Sequence, residues 1–415
     1  MTNKANQTAP RLGTHALNRA TLARQLLLHR APMSAPAEAA PAKATSTKAT
    51  PTNATSTNAT PTNATGSAPP PMSVHAAVTH LLGLQAQNVR PPYYALAARL
   101  DGFAPEQLSA LMADRDVVRI VTMRSTIHTH TAEDCLTLRP LVQPAREREL
   151  NLFRKGLAGV DLDRLEVIAR ELVEAEPRTL KQLREALIVE WPGADPFALG
   201  VAARCRLPLV QVTPRGLWGK SGQVALTTAE HWLGRPAEPA PAPETVVRRY
   251  LAAFGPASVK DMQTWAGLTR LREAFERLRP ELLVFRDDSG TELFDLPDAP
   301  RPDPETPAPP RLLPEFDNLL LSHADRSRVV PPDLKGRSWQ GNQAHRTFLV
   351  DGFLAGLWKL DAKVLTLEPF GRLTQRQRAD VVTEAERTLT TLHGDEGGAH
   401  DEGGAYDIRF GTVAT

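Results

Sequence analysis

Apolar residues recur at helical spacing along most of this chain, and the helical stretches alternate with short β-branched runs. Leu17, Thr21, Leu22, Leu26 and Leu27 define a first helix over about 17–30. Val74, Ala77, Val78, Leu81 and Leu82 define a second, which Gly83 can end. Helices near 92–100 and 105–113 follow, then strands through 117–121 and 125–130. Thr131 and Asp134 resemble a capping box, with Asp in place of the usual Glu, and start another helix.

The rhythm of helices and then two strands returns twice. Leu165, Val167, Ile168, Leu172 and Val173 mark a helix, Thr179 caps the next through Leu183 and Leu187, and a third lies near 196–204. Strands over 209–212 and 223–226 then flank a turn at 215–222. After a Pro/Ala linker, helices over 245–254, about 258–266 and 268–278 precede strands at 282–285 and 291–294, hinged on Asp288-Ser289-Gly290. Three helices and a two-stranded wing make a winged helix-turn-helix. The fold class is therefore read as α+β, mainly helical, with three such units in tandem. The units are placed at 12–145, 146–235 and 243–300, followed by a β/α segment at 311–392. In that segment Asp351-Gly352 predicts a type I′ hairpin and 374–392 a helix. Residues 393–415, Gly-rich and acidic at their start, are expected to be a flexible tail. Residues 33–72 are low in complexity, with near-repeats of Thr, Pro, Asn and Ala, and bury too little apolar area to order themselves. They read as a disordered insertion in a loop of the first unit.

Composition narrows the function. The 415 residues are 41% hydrophobic but only 5% aromatic, so the core is built mostly from Leu, Val and Ala. Net charge is +2 and leaves room only for local basic patches. Two distant cysteines, Cys135 and Cys205, supply neither a metal cluster nor a disulfide framework. With no signal-like N-terminus and no apolar run of transmembrane length, the chain reads as a soluble cytoplasmic protein without membrane partners.

The candidate chemistry lies in Gln85-Ala86-Gln87, between the helix ending near Gly83 and Pro91-Pro92. In a short extended stretch, side chains at i and i+2 share one side, so two neutral amides can hold a water or a base edge. By itself such a pair also suits an ordinary polar loop. Several further motifs follow in order: Arg124-Ser125-Thr126-Ile127-His128, Pro214-Arg215-Gly216-Leu217-Trp218-Gly219, Trp265-Ala266-Gly267-Leu268, and Leu313-Pro314-Glu315-Phe316-Asp317 with Asp325-Arg326-Ser327-Arg328. Together, over about 12–392, they resemble the AlkZ-like winged-helix DNA glycosylases.

That resemblance implies three winged-helix units around a basic, C-shaped channel. It also implies excision of N-alkylated purines, including unhooking of interstrand crosslinks made through purine N7. Gln85 and Gln87 carry over as the catalytic pair of the Q-Φ-Q branch. One orients water and the other stabilises the transition state, with Gln87 and Gln85 in those roles or exchanged. The enzyme is expected to need no cofactor and no metal, to leave the DNA strand uncut, and to act as a monomer on double-stranded DNA containing alkylated purines. Repair, or self-resistance to a DNA-alkylating natural product, is the implied role. The alternative is a winged-helix transcriptional regulator without activity.

Candidate DNA contacts are Arg124, His128, His130, Arg215, Lys220, Arg326 and Arg328. Arg124 can instead form a salt bridge. His128 and His130 share a strand face, which suits a place by the channel, a metal pair lacking its third ligand, or plain polar strand positions. Arg326 and Arg328, at alternate positions of an extended stretch, would point one way, with Asp325 able to neutralise one. Trp218 is expected to pack within its wing. Phe348, Leu349, Phe353 and Leu354 suit a core hairpin better than a groove probe. Arg24 and Arg30 are expected to be solvated.

Overall fold

A computed structural model describes residues 9–34, 69–394 and 406–413. It is a mixed α/β structure in which runs of helices are followed three times by a pair of short strands. The helix starts follow local chemistry. Thr179 with Gln182, Ser258 with Asp261 and Thr374 with Gln377 form reciprocal capping boxes. Thr131 caps Ala132–Leu141 through the Asp134 amide, but the Asp134 carboxylate does not reach back. It is held by Arg249 at 2.5 and 2.8 Å instead.

The first two strand pairs merge into one sheet. Its order is Leu84–Gln85, Ile127–Thr131, Val117–Val121, Leu209–Gln211 and Leu226–Thr228. Arg119 and Ile120 pair with Gln211 and Val210, which joins the two hairpins. The expected strand at 223–226 lies later, at Leu226–Thr228, because Arg178 bridges the backbone of Leu226 and draws it into register with Gln211. The third pair, Leu283–Arg286 and Glu292–Asp295, forms its own ribbon.

A second five-stranded sheet follows the order Arg311–Leu313, Thr347–Val350, Phe353–Asp361, Val364–Pro369 and Asp407–Phe410. Asp351 and Gly352 both have positive φ, 48° and 79°, as a I′ turn requires. Phe348, Leu349 and Leu354 are core residues, and Phe353 packs on His15. The long helix Gln375–His393 contributes Val381, Ala385, Leu389 and Leu392 to the same core as Val78, Leu81, Tyr94 and Leu96. The C-terminal segment and the first unit therefore share one core.

Four further expectations need correction. The tail is not free throughout: Asp407–Phe410 adds a parallel edge strand to Val364–Leu367, alternating Ile408 and Phe410 toward the core. The first helix stops at Arg24, and Arg24 is not solvated: it is buried against Asp295 at 2.6 and 2.9 Å. Arg30 likewise pairs with Glu384, at 2.6 and 2.7 Å. Most of the insertion, 35–68, lies outside the described residues. Its two ends are pinned, since Met33 and Met72 form a bridge and Ala31–Pro32 pairs with Leu100–Asp101. No described helix is long and apolar enough to cross a membrane.

Candidate active site

Gln85 ends the two-residue edge strand of the first sheet. It pairs with His128, while Ala86 N–H donates to the Ile127 carbonyl at 2.7 Å. The strand is set by Gly83, whose φ of 87° turns the chain out of the helix. A Cβ at Gly83 would come within 2.4 Å of the His130 ring and 2.9 Å of the Thr129 carbonyl. Asn318 secures the same turn by donating to the Gly83 carbonyl at 2.8 Å.

The tripeptide is gripped by two arginines. Arg119 is buried in Val117–Val121, the second strand over, and donates to the Ala86 carbonyl at 2.8 Å and to Gln211 Oε1 at 3.1 Å. Arg124 donates through Nη2 to Gln85 Oε1 at 2.8 Å, and through Nη1 to the Trp265 carbonyl. Each has a like-charged neighbour, Arg215 beside Arg119 and Arg326 beside Arg124. Burial, and then that repulsion, brings both guanidinium pKa values down to about 10, still protonated at neutral pH. Among the described residues none of these four arginines has a carboxylate partner. The Gln85–Gln87 segment therefore lies in a field of uncompensated positive charge.

The two glutamines differ in exposure. Gln85 is 6% exposed, whereas Gln87 is open to solvent and its Oε1 accepts a hydrogen bond from the Ile127 amide at 3.4 Å. Asn88 turns the following loop toward Glu315, at 3.1 Å, and Glu315 in turn binds Arg346.

Several expected contacts are redirected. His128 and His130 do share a face, stacked 5.5 Å apart, but they are 1% and 0% exposed and so present no surface for a DNA contact. Packing beneath the Gln85 strand explains this. Burial, with Arg124 and His130 adding to it, holds His128 well below its usual pKa. Burial brings His130 down to about 4. No metal-ligating cluster exists among the described residues. Arg328 is also buried. It donates to the Pro256 carbonyl at 2.7 Å and lies 4.0 Å from Asp261, because 326–330 is a turn and not an extended stretch. Asp325 caps Ser327 and neutralises neither arginine. Arg326 stays half-exposed, with its guanidinium 5.9 Å over Trp339. Lys220 is exposed, Arg215 is half-buried against the Gly222 carbonyl at 3.2 Å, and Trp218 packs on Tyr93 at 4.9 Å. Sequence reasoning missed Arg119 and Asn318. An arginine inside the apolar run Val117-Val118-Arg119-Ile120-Val121 was the available signal for the first.

With this arrangement defined, comparison with known proteins is decisive. The family described as DNA glycosylase AlkZ-like matches residues 78–391, which include every residue of the site. The chain belongs to the AlkZ-like DNA glycosylase family. An interstrand DNA cross-link repair glycosylase of Streptomyces sahachiroi is 30% identical over 147 residues. That alignment covers 33% of this chain and only 39% of that relative. The solved structure of the Streptomyces sahachiroi DNA glycosylase AlkZ superposes with a TM-score of 0.70 at 19% identity, covering 97% of this chain and all of that one. At that identity the superposition establishes a shared fold for this AlkZ-like chain.

Proposed function

We propose that this chain is a monofunctional DNA glycosylase that hydrolyses the N-glycosidic bond of N7-alkylated purines, including purines joined in interstrand crosslinks. It would act as a monomer on duplex DNA, in repair or in self-resistance to a DNA-alkylating natural product. In this reading the three helix-and-hairpin repeats are winged-helix units lining a C-shaped channel.

The observation that carries the reading is the pair Gln85 and Gln87 at a sheet edge, beside arginines that have no carboxylate partner among the described residues. DNA phosphates are the natural counter-charge for Arg326, Lys220 and Arg215. Alkylation at N7 leaves the purine cationic and ready to depart, so a strong general acid is unnecessary. The C1′–N9 bond breaks with its electron pair passing to N9, which neutralises the purine. Water then forms the new C1′–O bond through an oxocarbenium-like transition state and releases a proton to solvent. Glutamine cannot take that proton at neutral pH, but it can orient the water and stabilise developing charge. No lysine occurs between residues 73 and 152, which fits a reaction without a Schiff base and without strand cleavage.

Single-turnover release of N7-methylguanine from a duplex tests the reading. Gln85→Ala and Gln87→Ala are expected to slow release about 100-fold or more, as removal of a positioned catalytic dipole does. Gel-shift affinity should stay near that of the unmodified protein. Wild-type rates in both variants would remove the assignment.

A further inference from the structure

The two glutamines are held differently, and the difference bears on what each can do. Arginine only donates hydrogen bonds, so the Gln85 atom facing Arg124 at 2.8 Å must be the carbonyl oxygen. The free edge of this carboxamide is therefore its NH2 group. The Gln85 carbonyl is not available to face a cationic sugar. Gln87 is the reverse case: its oxygen meets a single amide at 3.4 Å and lies at the solvent surface.

Arg124 is itself fixed from several directions. Its backbone is left-handed, with φ of 53°, and Gly267 packs so closely that a Cβ there would meet the Arg124 amide nitrogen at 3.0 Å. One end of its guanidinium binds the Trp265 carbonyl. The other is shared between Gln85 Oε1 and His128 Nε2, the latter at 3.3 Å. His128 Nδ1 lies 3.0 Å from the Thr126 carbonyl, which can only accept. The ring proton therefore sits on Nδ1, and Nε2 offers its lone pair to Arg124.

We propose that Arg124 is a positioning residue that divides the labour of the glutamine pair. It locks Gln85 as a hydrogen-bond donor to the departing purine and leaves Gln87 Oε1 as the acceptor that orients the water. This rests on the glycosylase reading given above. Electron density grows on the purine as the bond to N9 breaks, so a fixed N–H donor is worth more in the transition state than in the bound substrate. A nucleophilic water presents its lone pair to C1′ and needs an acceptor for its hydrogen, which Gln87 supplies and Gln85 does not.

A double-mutant cycle separates this role from plain phosphate binding. Single-turnover release of N7-methylguanine and gel-shift affinity are measured for the wild type, Arg124→Ala, Gln85→Ala and the double variant. Arg124→Ala is expected to slow release about 100-fold, the cost of a misplaced catalytic group. In the Gln85→Ala background the same change should add less than about 2-fold, since coupled residues are strongly non-additive. Affinity should hold throughout. Arg124→Lys keeps the charge but cannot span three acceptors, so it should also be slow, and it carries the cycle if Arg124→Ala fails to fold. Added methylguanidinium should restore part of the Arg124→Ala rate and none of the Gln85→Ala rate. Losses that multiply in the double variant, or a rate loss matched by an affinity loss, would overturn the proposal and make Arg124 a phosphate ligand. A wild type that releases no base overturns the glycosylase reading and this division with it.

Discussion

Two groups of buried and half-buried arginines in this molecule are built on opposite plans. The first, three arginines that tie distant parts of the chain together, meets a carboxylate each time. Arg24 binds Asp295, Arg99 binds Asp317 through two bonds of 2.8 Å, and Arg30 binds Glu384. The second, Arg119 and Arg124 beside the Gln85–Gln87 segment, meets carbonyl and amide oxygens and a neutral imidazole nitrogen, with no carboxylate among the described residues. A buried ion pair cancels its own field and fixes geometry. An arginine held by dipoles fixes geometry while its charge remains available to a ligand. The first plan suits architecture, the second a candidate site whose groups are oriented without cancelling its positive charge.

The sharpest way to break the comparison is to delete one member of each group. Arg99→Ala strands Asp317, which is fully buried, and is expected to cost about 3–5 kcal/mol of stability in urea unfolding. Arg119→Ala strands only neutral oxygens and should cost about 1–3 kcal/mol, while slowing base release through the displaced Ala86 carbonyl. Equal losses of stability would erase the distinction.

Acid provides a graded test. His128 and His130 are buried neutral beside the dipole-held arginines, and burial brings His323 down to about 3 in the ion-paired region. Each has a folded-state pKa below its unfolded value near 6.5. Their contribution is fully present above that value and is lost as pH falls toward the folded pKa, about 4 for His130. The urea midpoint should be flat from neutral pH upward and fall steadily below 6.5. A His130→Phe variant that keeps the wild-type slope below 6.5 would count against this.

The smallest effects belong at the rim. Lys220→Ala and Arg326→Ala should weaken duplex binding modestly, each reducing the slope of log affinity against log salt by about 1. Arg328→Ala should leave that slope alone, because its guanidinium is buried against Pro256 and Asp261. Salt titrations of the three variants check the ordering.

Local patterns carried much of the architecture. Helix starts at Thr179, Ser258 and Thr374 and the turn at Asp351-Gly352 depend on neighbouring residues alone, so a single sequence reveals them. The pairing of Val117–Val121 with Leu209–Gln211 and the docking of Asp407–Phe410 depend on residues far apart, and no periodicity encodes them. The same divide runs through the site. Gln85 and Gln87 stood out because they fall between a helix stop and a proline pair. Whether His128 or Arg328 faces solvent was not legible, since burial there is imposed by a neighbouring strand or turn. The alternation of His128 and His130 reports a shared face but not which face is covered.

Gly83 shows how narrow the tolerances of this arrangement are. Its missing side chain is what lets the edge strand lie against the His130 ring. One added methyl group would lever the strand off its bed and carry both carboxamides with it, ending the proposed base release while every side chain of the candidate site stayed chemically intact.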